Sequence, residues 1–111
     1  MLFRSKDFEI INLSDNNFEN GTTAKLEFEF VNNSLSDEEI LMLVGLFDED
    51  EELLINYNYL LEEIKSKDSK ILGSGIYIPD DSEYEIRAFI WENFDSQTPI
   101  LAEPIEIEVE D

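Results

Sequence analysis

Ala24, Leu26, Phe28 and Phe30 alternate with Lys25, Glu27 and Glu29. A period of two over seven residues fits only an extended strand with one buried face and one wet face. On a helix the same charges would be scattered around the apolar side. The segment therefore predicts an antiparallel sheet with one face in water.

The pattern recurs along the chain. Phe8, Ile10 and Asn12 share one face of a strand whose other face carries Ile11 and Leu13. Near the end, Ile105, Ile107 and Val109 alternate with Glu106, Glu108 and Glu110, which predicts a strand with an acidic outer ladder. Ile71, Gly73 and Gly75 alternate with Leu72, Ser74, Ile76 and Ile78, and Tyr84 to Trp91 forms a further strand.

The run from Ile40 to Phe47 is apolar on both faces, as a central strand would be. Ser36-Asp37-Glu38-Glu39 also resembles a helix start, so a buried helix is the alternative. We read a strand, because the acidic turn Asp48-Glu49-Asp50 and the apolar residues from Leu53 complete a hairpin. Leu53 to Ile55 reads as its second strand, while Tyr57 to Ile64 fits either a strand or a short helical turn.

Turn residues separate these segments: Asp15-Asn16-Asn17, Asn20-Gly21, Asn32-Asn33-Ser34 and Pro79-Asp80-Asp81-Ser82. Pro99 and Pro104 suggest that the last strand lies at an edge or carries a bulge. Seven short strands at this spacing predict an all-β, seven-stranded antiparallel β-sandwich. Its expected core holds Leu26, Phe28, Phe30, Leu43, Ile76, Tyr84, Ile86 and Ile90 or their immediate neighbours. With 111 residues there is material for one core, so residues 1–111 are read as a single domain.

The second half carries a resemblance. Leu43 to Leu53 is similar to an "apolar strand, Tyr/Phe-Asp, acidic turn, Leu-Val" hairpin. Tyr84-Glu85-Ile86-Arg87-Ala88-Phe89-Ile90-Trp91-Glu92, followed by Ser96-Gln97-Thr98-Pro99-Ile100, resembles the Phe-x-Trp…Pro signature near the end of certain extracellular modules. These are the immunoglobulin-like or fibronectin type III-like accessory modules of large extracellular proteins from clostridia and related Firmicutes. Gln97 stands where Met is usual and Arg87 where Lys is common. The resemblance spans roughly Ala24 to Leu101. It implies an accessory domain of a longer chain at the cell surface or outside the cell, with neighbouring domains or another protein as partners.

Charge narrows the partners. Seven Lys plus Arg against 28 Asp plus Glu, with no His, give a net charge of −21. Phosphate backbones and anionic membrane surfaces are repelled, which argues against nucleic-acid and membrane binding. No stretch is long and apolar enough for a membrane span or a signal peptide. Without one, the chain is either a piece of a longer secreted protein or cytoplasmic. Glu-rich strands oppose pairing between copies, so a monomer is expected.

Chemistry is sparse. With neither Cys nor His there is no thiolate site and no Ser-His triad, and Gly73-Ser74-Gly75 lacks the lysine and helix of a phosphate loop. The cluster Asp48 to Glu52 fails the EF-hand pattern, which would need Gly at Leu53 and Glu at Tyr59. A solvated acidic turn is the simpler reading, with a calcium site of another kind as the alternative, and neither a cofactor nor a catalytic role is expected.

One constellation stands out. Phe89, Trp91 and Phe94 would face away from Ile86, Ala88 and Ile90, presenting an aromatic surface to a protein or glycan. The alternative is that they form a second small cluster beneath the Pro99 segment. At the level of the whole chain, the competing reading is a free-standing acidic inhibitor or nucleic-acid mimic, with rows such as Glu106, Glu108 and Glu110 meeting a basic protein. Three Asn-x-Ser/Thr sequons, at Asn12, Asn20 and Asn32, matter only in a eukaryotic secretory setting.

Overall fold

Nine strands, arranged in two stacked sheets, make up the computed structural model, which describes residues 2–4, 8–14, 18–92, 100–101 and 104–110. In chain order they are β1 (Leu2–Arg4), β2 (Phe8–Asn12), β3 (Phe18–Glu19), β4 (Thr23–Asn32), β5 (Glu38–Asp48), β6 (Leu53–Ile64), β7 (Ser69–Tyr77), β8 (Tyr84–Trp91) and β9 (Ile105–Glu110). Seven of them are the expected strands. The short β1 and β3 are additional, because two or three residues are too few to show a period. No helix is present among the described residues.

The smaller sheet has the order β1-β2-β4-β7 and the larger β3-β9-β8-β5-β6. All pairings are antiparallel except the two-residue contact of β3 with β9. The longest strand, β6, stays beside β5 in the larger sheet and does not cross to β7. This is an immunoglobulin-like β-sandwich. The helix alternative for the segment beginning at Ser36 is excluded, and Tyr57 to Ile64 continues β6 as a strand.

Alternation decides what is buried. Leu26, Phe28 and Phe30 of β4 meet Met42, Val44 and Leu46 of β5 and Ile86 and Ile90 of β8 in one core. Each such side chain contributes about 1.5–3 kcal/mol by leaving water. Leu43, expected in this core, is half-buried on the opposite face. The both-sided apolar run of β5 left its parity open, and Met42 and Val44 take the inner positions. Gly21, at φ 79°, makes the sharp reversal before β4, with its N–H donating to the Ile78 carbonyl at 2.6 Å.

Asn32 is the one buried polar residue among those described. Its Nδ2 donates to the carbonyls of Ser36 and Ile64, both at 2.9 Å, and its Oδ1 accepts from the Ser34 N–H and hydroxyl. The polar group is thus fully paired, and it ties the end of β4 to the end of β6 across the sandwich. The same engagement removes the Asn32 sequon from the surface.

Along one flank the edge strands β6 and β7 of opposite sheets approach each other. Asn58 Nδ2 donates to the Gly75 carbonyl, and Lys70 lies 3.6 Å from Glu62. These contacts occupy edges that would otherwise invite pairing with another chain.

Candidate interaction face

The outer face of the larger sheet is built by register. Core positions of β8 are Tyr84, Ile86, Ala88 and Ile90, so Glu85, Arg87, Phe89 and Trp91 point outward. Pairing with β5 and β6 then gives successive rows: Leu61, Leu41 and Trp91; Tyr59, Leu43 and Phe89; Tyr57, Gly45 and Arg87. A register shift between Leu46 and Phe47 sets Leu54 beside Phe47 in the next row.

Phe89 and Trp91 stand together, with ring centroids 5.6 Å apart and planes tilted by 48°. Phe47 extends the row, 6.2 Å from Phe89 and tilted by 56°. All three rings are half-buried. Tilted contacts at these distances are the arrangement that ring quadrupoles favour. Phe94, the third expected member, lies outside the described residues.

Arg87 closes the row. Its guanidinium carbon lies 4.5 Å from the Phe47 ring centre, while Nη2 and Nε donate to the two Glu85 oxygens at 3.2 and 3.3 Å. The hydrogen bonds to Glu85 raise the Arg87 pKa above its ordinary value; burial opposes this, and the charges of Glu85, Glu106 and Glu52 add to it. One cation thus sits among three carboxylates.

Sequence reasoning had singled out Phe89 and Trp91 but not Phe47, Tyr57, Tyr59 or Leu61. The signal existed, because Tyr57, Tyr59 and Leu61 repeat at a period of two. It was obscured by apolar Leu60 and Ile64 on the other face of the same strand.

Elsewhere, a shallow depression of about 350 Å³ lies over β4 and β7, where Gly73 and Gly75 leave the sheet without side chains. In the acidic turn, Asp48 Oδ1 accepts from the N–H groups of Asp50 and Glu51, and its Oδ2 accepts from the Ser82 hydroxyl. The Asp48 carboxylate therefore organises the turn itself. Among the described residues no group of three or more Asp or Glu side chains is gathered to hold a metal ion. On β9, Glu106 is exposed, and the side chains of Glu108 and Glu110 lie outside the described residues.

No protein-family model matches the chain, and no curated protein matches it in sequence. Solved structures do match in shape. The CARDB domain of the PF1109 protein of Pyrococcus furiosus, in complex with di-metal ions, is similar at TM-score 0.61 and 15% identity, over 99% of this chain and 93% of that one. The alkylpurine DNA glycosylase AlkC of Pseudomonas fluorescens is similar at TM-score 0.62 and 8% identity, over 95% of this chain but 31% of the glycosylase. A β-glucosidase from Listeria innocua is similar at TM-score 0.60 and 15% identity, over 96% of this chain and 16% of the enzyme. At these identities the likeness is one of fold. The chain corresponds to a domain-sized part of the two larger proteins.

Proposed function

We propose that this chain is a non-catalytic accessory module of a larger bacterial extracellular or cell-surface protein, serving as a spacer or as a protein- or glycan-binding domain. What supports the reading is that sandwiches of this shape make up 31% and 16% of two much longer chains. The resemblance of Tyr84 to Ile100 to extracellular accessory modules points the same way. The outer face of the larger sheet supplies the surface such a module would use, since exposed rings and leucines favour contact with a partner over contact with water.

An immunoblot of fractionated native cells and culture medium, with an antibody against this chain, tests the reading. A band far above 12.9 kDa in the envelope or medium is the expected result. A cytoplasmic band at that mass would overturn it in favour of a free-standing acidic protein.

A further inference from the structure

We propose that the outer face of the larger sheet docks a cationic protein surface, aliphatic at its centre and bordered by lysine or arginine. The proposal deepens the accessory-module reading and rests on it in taking the chain as a binding module.

The face is apolar where it is most open. Leu54, Tyr57, Tyr59 and Leu61 on β6 are 48%, 52%, 56% and 42% exposed, and by register they adjoin the half-buried Phe47 and Phe89. A continuous exposed surface of this kind, unlike scattered single residues, marks a contact site.

Its borders are negative. Glu39 and Glu63, paired in register and both exposed, stand beyond Leu61 at one end, joined by exposed Asp37; Lys65, 2.6 Å from Glu63 and 3.4 Å from Asp37, offsets one of these three charges and leaves the end net negative. The exposed turn Glu49 to Glu52 stands at the other, and along the side Arg87 is forked to Glu85 and paired in register with the exposed Glu106. Charge complementarity therefore calls for a partner whose apolar centre is rimmed with cations.

The same borders disfavour other occupants. A second copy would bring another net charge of −21 and set carboxylate borders against carboxylate borders. Sugars stack on rings laid open and flat, but the Phe47, Phe89 and Trp91 rings are half-buried and tilted to one another by 48° and 56°, and the exposed Tyr57 and Tyr59 are interspersed with leucines. Arg87, over the Phe47 ring and forked to Glu85, shows within the molecule the contact an incoming arginine would make.

Trp91 is the single tryptophan, so its emission reports on this face. The intact chain is titrated with a short peptide alternating leucine and lysine, and separately with one alternating leucine and glutamate. Expected are a saturable change in Trp91 emission with the lysine peptide only, weakening as salt is raised. A folded Tyr57→Ser/Tyr59→Ser variant, checked by circular dichroism, should bind about tenfold more weakly. Attraction by bulk charge alone would leave the double variant's affinity unchanged, and that result overturns the proposal. So does silence of Trp91 up to millimolar lysine peptide, or an equal response to both peptides. A saturable response to a chitooligosaccharide with none to the lysine peptide would assign the face to glycans, and a doubled mass by sedimentation equilibrium would assign it to a second copy. None of these results depends on the size of the native protein, so the docking proposal and the accessory-module reading fail separately.

Discussion

Arg87 and Phe47, on adjacent strands, are in van der Waals contact across a position that carries no side chain. Gly45 pairs directly with Arg87, and a Cβ there would lie 2.9 Å from Phe47 Cε2 and 3.0 Å from Leu54 Cδ1. Arg87→Ala removes both the ring contact and the Glu85 fork, and is expected to lower stability by about 1 kcal/mol in urea denaturation. Arg87→Lys should recover less than half of this, because an ammonium cannot make the forked contact. Gly45→Ala should also destabilise, by displacing the Phe47 ring.

Asn32 predicts a larger effect from a single polar side chain. Replacing it with Ala leaves the Ile64 carbonyl without its donor at a site from which water is excluded. The expected loss is about 2 kcal/mol. An unchanged denaturation midpoint would mean that the loop from 33 to 36 holds its place without this side chain.

Core and face should respond differently to truncation. Phe28 is fully buried between the sheets, so Phe28→Ala is expected to cost about 3–5 kcal/mol. That is a large part of the 5–15 kcal/mol or so that stabilises a typical domain. Tyr57→Ser, on the exposed face, should change stability by about 0.5 kcal/mol at most.

Alkaline pH should weaken the fold through Tyr84. Its hydroxyl donates to Asp81 Oδ1 at 2.5 Å, and this bond, then burial, then the charges of Asp81 and Asp48 push its pKa up from 10.0 to about 12. A folded-state pKa raised above the unfolded value stabilises fully below pH 10 and loses its contribution as pH climbs through 12. Thermal unfolding followed across that window should show the decline in the native chain and a flatter profile in Tyr84→Phe. An absorbance titration in which the native chain and Tyr84→Phe differ by an ionisation near pH 10 would refute it.

The fold was largely legible because polar and apolar residues alternate cleanly in β4 and β9. Legibility failed where both faces are apolar. In β5 nothing in the sequence distinguishes Leu43 from Met42, and the answer comes from the partner strands. In β6 the outward tyrosines were hidden for a related reason, since Leu60 and Ile64 point to the other side. The Arg87 contact could not be read at all, because Phe47 and Arg87 are forty positions apart in sequence and meet only through the β5–β8 register.

The two longest pairings differ in the chain they must enclose. β5 and β6 align eleven residue pairs around the short turn Glu49 to Glu52, whereas β4 and β7 must bring Thr23 beside Tyr77. Loop-closure entropy is smaller for the first than for the second, so the expected kinetic order is that the local hairpin forms by the transition state and the distant ladder follows. Glu52, at φ 54°, sits in the turn that closes the hairpin. Relieving it with Glu52→Gly should speed folding while leaving the unfolding rate nearly unchanged, whereas loosening β7 should act mainly on unfolding.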